Sequence, residues 1–343
     1  LSITARCAGT DMSGGAIGES IVLDFTRHMN KLIGGPLPHD DGTWSITVEP
    51  GMMYRDFEQI TLAKGLILPC YTASKSMNAV GGMYGNNSAG ERTLKYGKAE
   101  DYVLESKVIF SDSNEYIVKP ESKVTFDRKV AQGDFEGNLY KNIFNLIKQN
   151  EDDIRHAKPN VHKNSAGYYI WNVVNKTAKN FYFDLNKLLV GSQGTLGIVT
   201  EITFKIIPNS KYSKLVAIFI NDIEPLGRLV NEILELNPET LEAYDDKTIK
   251  LAVKFFPDFL KNKGIRGMFR LGWSFLPELK MFLRGGMPKL VLLVEFSGAD
   301  ESDANNKCSV LVEKIKHFGF TVHVTKSEAE SEKYWDIRRE SFA

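Results

Sequence analysis

The sequence predicts an α+β protein in two domains, and three observations carry that reading. Runs with the two-residue alternation of strands are interspersed with runs of helical periodicity, without internal repeat or low-complexity stretch. Pro208-Asn209-Ser210 marks a boundary, beyond which strands and amphipathic helices form a pattern of their own. Two glycine-rich stretches, residues 69–103 and 188–201, both fall before that boundary.

In order, residues 1–5 and 21–25 are strand candidates flanking a small-residue turn from Arg6 to Gly15. Residues 44–50 alternate apolar and polar, and residues 54–64 have helical periodicity that stops at Gly65. Ser111-Asp112-Ser113-Asn114 supplies turn chemistry for a hairpin between residues 102–110 and 115–118. Residues 135–148 carry apolar positions at Leu139, Ile143, Phe144 and Ile147 and predict a helix; residues 151–164 read as charged and irregular. A short apolar strand is expected before Gly191 and a longer one over 198–207. Beyond the boundary the pattern predicts strands at 215–220, 290–296 and 320–324, and helices at 222–236, 246–255 and 301–318 and from Ser327; residues 264–286 are less regular.

Residues 69–103 organise the chain. Gly81, Gly82, Gly85, Gly90 and Gly97 are interleaved with Thr72, Ser74, Asn86, Asn87 and Ser88. Glycine lets another molecule approach the main chain closely, and short polar side chains add donors and acceptors without filling space. A loop of this length and composition predicts a backbone cradle for a phosphate-bearing or polyhydroxylated ligand. The second stretch has glycines at 191, 194 and 197, a spacing unlike Gly-x-Gly-x-x-Gly, and a strand rather than a helix follows it. With no Gly-x-x-x-x-Gly-Lys-Ser/Thr present either, a nicotinamide-binding Rossmann domain and an NTPase both lose ground.

The 343 residues allow two or three domains. Lys+Arg and Asp+Glu both number 43, so no polyanionic partner such as nucleic acid is predicted. Three widely separated cysteines, Cys7, Cys70 and Cys308, suit a reducing compartment and argue against a disulfide framework. No apolar run reaches the length of a membrane span. The six histidines show no metal-ligand spacing, so no metal site is expected. The chain opens and closes abruptly, which suggests a piece of a longer protein.

Three segments together resemble the FAD-binding domain of the vanillyl-alcohol oxidase/PCMH flavoproteins. They are Arg6-Cys7-Ala8-Gly9-Thr10-Asp11-Met12-Ser13-Gly14, then residues 81–90 with Tyr96-Gly97 and Asp101 behind them, and Gly191-Ser192-Gln193-Gly194-Thr195-Leu196-Gly197-Ile198-Val199. Within that family the chain is similar to the D-lactate, glycolate and D-2-hydroxyglutarate dehydrogenases. The resemblance implies a PCMH-type FAD-binding domain over 1–208, lacking its first small α/β unit, and the start of a ferredoxin-like α+β substrate (cap) domain over 213–343. It implies truncation at both ends, with the family's later histidine-rich segment left out.

The FAD contacts it implies are Arg6, Cys7, Ala8, Gly9, Thr10, Asp11 and Ser13 around the pyrophosphate, and Ser74, Gly81, Gly82, Asn86, Asn87, Ser88, Gly97, Asp101, Gly194, Thr195, Gly197, Ile198 and Val199 elsewhere along the cofactor. Cys7 stands where relatives often have Gly, and Gln193 where they commonly have Glu; neither change removes a backbone donor. His28, the histidine nearest the first loop, lies beyond a full strand, so non-covalent FAD is expected. Lys163, in Lys163-Asn164-Ser165-Ala166-Gly167-Tyr168, resembles the family's cation for the substrate carboxylate, with Arg155, Lys158 and His162 able to share the task. Arg338, in Trp335-Asp336-Ile337-Arg338, is a second candidate, its bland alternative being an ion pair with Glu332 or Glu340.

The function implied is oxidation of a D-2-hydroxy acid by hydride transfer to flavin, with a quinone, an iron–sulfur domain or a carrier protein as electron acceptor. Chemistry like that of alkylglycerone-phosphate synthase, and a non-catalytic FAD-binding module of a larger assembly, are the alternatives. The expected location is cytoplasmic, with peripheral association at the inner membrane face left open.

Overall fold

The computed structural model describes residues 2–161, 164, 166–176, 181–251 and 286–340. It falls into two units, Leu1–Asn209 and Ser210–Ala343. The structure mixes helices with sheets, as an α+β fold does.

The first unit begins with a parallel pair, β1 (Ile3–Arg6) and β2 (Ile21–Asp24), joined by the small-residue turn. Its main sheet takes in β3 (Leu32–Pro38), β4 (Trp44–Val48), β5 (Leu66–Ile67), β6 (Val103–Ile109), β7 (Glu115–Val118) and β11 (Ile198–Pro208). β8 (Glu121–Ser122), β9 (Val174–Lys176) and β10 (Phe181–Phe183) form a smaller sheet. β11 is central, antiparallel to both β4 and β6. Its alternation buries Thr200, Ile202, Phe204 and Ile206 on one face, where they meet Ile46 and Val48 of β4. The helix Tyr54–Leu62 packs there through Tyr54, Phe57 and Thr61, and the Phe57 and Phe204 rings meet edge-on at 6.0 Å.

Several elements differ from the sequence pattern. β3 is a strand despite Gly34-Gly35-Pro36, because it lies at the sheet edge, where a missing N–H costs least. Residues 151–157 are helical although the helix buries no residue, which explains why no apolar periodicity announced it. The helix Lys123–Val130 is capped by Ser122, whose hydroxyl accepts from the Thr125 amide. The apolar run before Gly191 is a short helix, Asn186–Leu189, not a strand. Most consequential, the long glycine-rich stretch is not an open loop: residues 80–85, 93–96 and 99–101 are each a turn or more of helix.

In the second unit β12 (Tyr212–Ile220), β13 (Thr240–Asp245), β14 (Leu290–Gly298) and β15 (Thr321–Val324) form an antiparallel sheet in the order β13-β14-β12-β15. Val216, Ile218 and Ile220 pack with Leu229 and Ile233 of helix Leu226–Leu234 and with Cys308, Leu311 and Ile315 of helix Glu301–Ile315. The alternate residues Leu215, Ala217 and Phe219 pack with Tyr244, Tyr334 and Trp335, the last two on helix Glu328–Glu340. Covering both faces is why β12 and β14 read as nearly continuous apolar runs. Residues 246–251 are helical; the remainder of that predicted helix, and residues 264–285, lie outside the described residues.

Candidate functional site

The turn after β1 leaves main-chain donors free. Among the described residues no intrachain hydrogen bond is made by the amides of Ala8, Gly9, Thr10 or Met12. Gly9 and Gly14 have φ of 68° and 77°, which lets successive N–H groups turn toward one side as an anion nest. Asp11 folds the loop on itself: its carboxylate accepts from the Ser13 hydroxyl, the Ser13 amide and, at 3.2 Å, the Gly15 amide. The Ser13 hydroxyl is the main reason its carboxyl is held below the usual range. The Arg6 guanidinium lies over Gly9, and its buried Nε has no hydrogen-bond partner. A buried donor left unmet costs about 1–3 kcal/mol, so this corner of the molecule suits an anionic ligand.

The helix Val80–Gly85 sits against that turn because Gly81 has no side chain. The Gly81 amide donates to Pro50 O at 2.8 Å, and a Cβ there would stand 2.6 Å from Pro50 Cβ and 2.8 Å from Cys7 Sγ. At Gly82 a Cβ would meet only Cys7 Cβ, at 4.0 Å. Gly82 therefore presents bare main chain to open space. The 191–197 stretch is tied to the same helix: the Gly191 amide donates to Tyr84 O at 3.0 Å and the Gln193 amide to Gly85 O at 2.9 Å. Gly194 abuts Ala5 of β1, closing the circuit of the three segments.

Between them lies a cavity of about 850 Å³. Arg6, Cys7, Ala8, Gly9, Thr10, Asp11, Ser13, Ser74, Gly81, Gly82, Asn86, Ser88, Gly194, Thr195, Gly197 and Val199 line it. Four residues singled out in the sequence do not, and each has another task. Asn87 is buried and its Oδ1 accepts from the Glu100 amide at 3.0 Å. Asp101 accepts from the Lys98 amide at 3.0 Å, holding the 99–101 turn. Gly97, at φ 78°, makes room for that carboxylate: a Cβ there would lie 2.3 Å from Asp101 Oδ2. Ile198 pairs with Ile109 at the start of β11, on the strand face opposite Gly197 and Val199. Thr72, Asn78, Met83, Tyr84, Ser192 and Gln193 line the cavity without having been singled out as contacts. Thr72 was one of the short polar residues of the cradle stretch; the others were marked only by their place among the glycines.

Lys163 and His162 lie outside the described residues. Tyr168, at the end of the same sequence segment, has its hydroxyl 2.8 Å from Thr195 Oγ1 at the cavity wall. Arg155 pairs with Asp152 on its own helix. Arg338, in the second unit, donates to Glu242 of β13 at 2.8 Å, and Arg339 donates to Glu332 at 3.0 Å.

Burial pushes the Cys7 thiol up to about 12, with the Gly82 amide offsetting only part of the shift. Because only the thiolate is nucleophilic, Cys7 should alkylate on the order of a thousandfold more slowly at pH 8 in the folded protein than in the urea-unfolded chain. Peptide mapping after timed iodoacetamide labelling checks this; equal rates would show that the thiol is not enclosed.

The families that match are described as "FAD binding domain", over residues 1–117, and "FAD linked oxidases, C-terminal domain", over residues 209–343. These two matches together support a PCMH-type FAD oxidase. Among similar proteins, D-2-hydroxyglutarate dehydrogenase of Escherichia coli (strain K12) is 24% identical over 92% of this chain and 29% of its own length. Glycolate oxidase subunit GlcD of Bacillus subtilis (strain 168) is 28% identical over 72% of this chain and 41% of its own. The chain thus spans well under half the length of either. A solved structure of alkyldihydroxyacetonephosphate synthase superposes with a TM-score of 0.63 over 98% of this chain and 50% of that one, at 14% identity, which speaks to fold alone.

FAD is the cofactor, and the site fits it. The open amides at 8–12 and the unmet Arg6 Nε suit a pyrophosphate; the bare backbone at Gly82 and Gly194 suits a flat ring system. Among the described residues no cluster of three His, Cys, Asp or Glu is placed to hold a metal, and no helix is long and apolar enough to cross a membrane.

Proposed function

We propose that this chain is the FAD-binding part, with the start of the substrate domain, of an enzyme that oxidises a D-2-hydroxy acid of the D-lactate, glycolate or D-2-hydroxyglutarate class. Residues 1–208 are assigned to the FAD-binding domain and 213–343 to the substrate domain. The observation that carries the reading is the cavity itself, where unpaired donors at Arg6 and residues 8–12 face main chain left bare at Gly82 and Gly194. The names carried by the similar proteins support the substrate class.

In this reading Arg6, Ser13 and the amides from Ala8 to Asp11 hold the pyrophosphate. Ser74, Gly81, Gly82, Asn86, Ser88, Gly194, Thr195, Gly197 and Val199 line the remainder of a non-covalent FAD, no histidine being among the described lining residues. Bound there, FAD would accept the substrate's α-hydrogen as hydride, while a base takes the hydroxyl proton. Lys163 fixes the acid carboxylate as a charge-assisted donor, with Arg338 the second candidate. A quinone, an iron–sulfur centre or a carrier protein takes the electrons.

Anaerobic mixing of the FAD-loaded protein with D-lactate, D-2-hydroxyglutarate and glycolate tests this. Bleaching by one acid supports the reading and names the substrate; none with any acid leaves a non-catalytic FAD-binding module. Lys163→Ala is expected to retain FAD and weaken binding of that acid by about tenfold or more, the worth of one charged hydrogen bond. An unchanged acid affinity would remove Lys163 from the role.

A further inference from the structure

One wall of the cavity carries a hydrogen-bond pattern that a phosphate does not satisfy. Asn78 is buried, only 4% exposed. Its Nδ2 donates to Thr72 Oγ1 at 2.8 Å, and Thr72 Oγ1 lies 2.9 Å from Ser74 Oγ. All three residues line the cavity. The Asn78 Oδ1 is buried without a partner among the described residues. Two hydroxyls sharing one contact use one hydroxyl hydrogen and leave the other, and Asn78 Nδ2 has a second N–H, so the triad holds two spare donors beside one unmet buried acceptor.

We propose that Thr72, Ser74 and Asn78 form a subsite for a part of FAD that both donates and accepts: the N–H and carbonyl edge of the flavin, the amino and ring nitrogen of adenine, or a sugar hydroxyl. A phosphate there would set acceptor against acceptor at Asn78 Oδ1. The Arg6 and first-loop end of the cavity offers unmet donors and suits the phosphates. The two walls therefore differ in polarity, and that difference orients the cofactor. Asn78 acts by contact with the ligand, while Thr72 acts by holding the Asn78 amide.

The inference rests on the cavity being the FAD site, so the first measurement is FAD binding by the unaltered protein, followed by flavin fluorescence. Failure there overturns the FAD reading itself. Given binding, Asn78→Ala and Thr72→Val, which remove polar atoms without adding bulk, are compared with the parent by FAD titration and by competition with FMN, ADP and inorganic pyrophosphate. Expected are a roughly tenfold weaker FAD affinity in Asn78→Ala and a smaller loss in Thr72→Val. The loss should recur with either FMN or ADP, naming the half that docks, while pyrophosphate competes as with the parent. Unchanged FAD affinity in both variants, or an equal loss for pyrophosphate, would overturn the proposal.

Discussion

Gly82→Leu is expected to fold and to purify without FAD. Leucine is about 1 kcal/mol better than glycine in a helix, and a Cβ at this position meets nothing nearer than Cys7 Cβ at 4.0 Å, so the apo fold has no reason to suffer. The added branch enters the cavity, where it competes with the cofactor for volume. A loss of at least about a hundredfold in FAD affinity is predicted, near 2.7 kcal/mol. Flavin absorbance of the purified protein, together with its melting temperature, reads both halves of the claim. A Gly82→Leu protein that holds FAD one-to-one would show that the cofactor does not pass over this helix. Gly81, one residue earlier, is the contrast: a side chain there collides with Pro50 before it reaches any ligand.

Lys98→Met is the largest predicted loss of stability, about 3–5 kcal/mol. Lys98 and Glu100 form a buried pair at 3.0 Å, with side-chain exposures of 11% and 5%. Lys98 also donates to the Tyr169 hydroxyl at 2.7 Å, and Glu100 accepts from Asn172 Nδ2 at 3.3 Å. The Glu100 amide is the donor to Asn87, beside the cavity residues Asn86 and Ser88. Removing the ammonium strands a buried carboxylate, so the double variant Lys98→Met/Glu100→Gln should recover more than half of the loss in urea denaturation. Equal stability of the single variant and the parent would mean that water reaches the pair. Burial works against the Lys98 charge, but the Tyr169 hydroxyl and Glu100 outweigh it and raise the lysine above its ordinary value. That contribution is therefore present in full below about 10.5 and lost only as pH rises through the higher folded value.

Main-chain function was legible in the sequence because it shows as composition. Gly9, Gly82, Gly194 and Gly197 stood out as runs of small residues, and the structure gathers them around one cavity. The same composition also misleads. Gly97 and Asp101 were indistinguishable from cradle residues, yet they hold each other in a turn that supports the cradle from behind. Asn78 carried no motif, since what matters is a single carbonyl oxygen left without a donor. Nothing in the sequence marks Lys98 and Glu100 as buried, since most lysines and glutamates lie at the surface. β3 was hidden by Gly and Pro in a position where only an edge strand tolerates them.

Amide hydrogen exchange with and without FAD tests the shared cradle most directly. FAD binding should slow exchange together at residues 8–12, 82–88 and 194–199, three stretches far apart in the chain but around one cavity. Protection confined to one stretch, or found only elsewhere, would contradict a single cofactor held by all three.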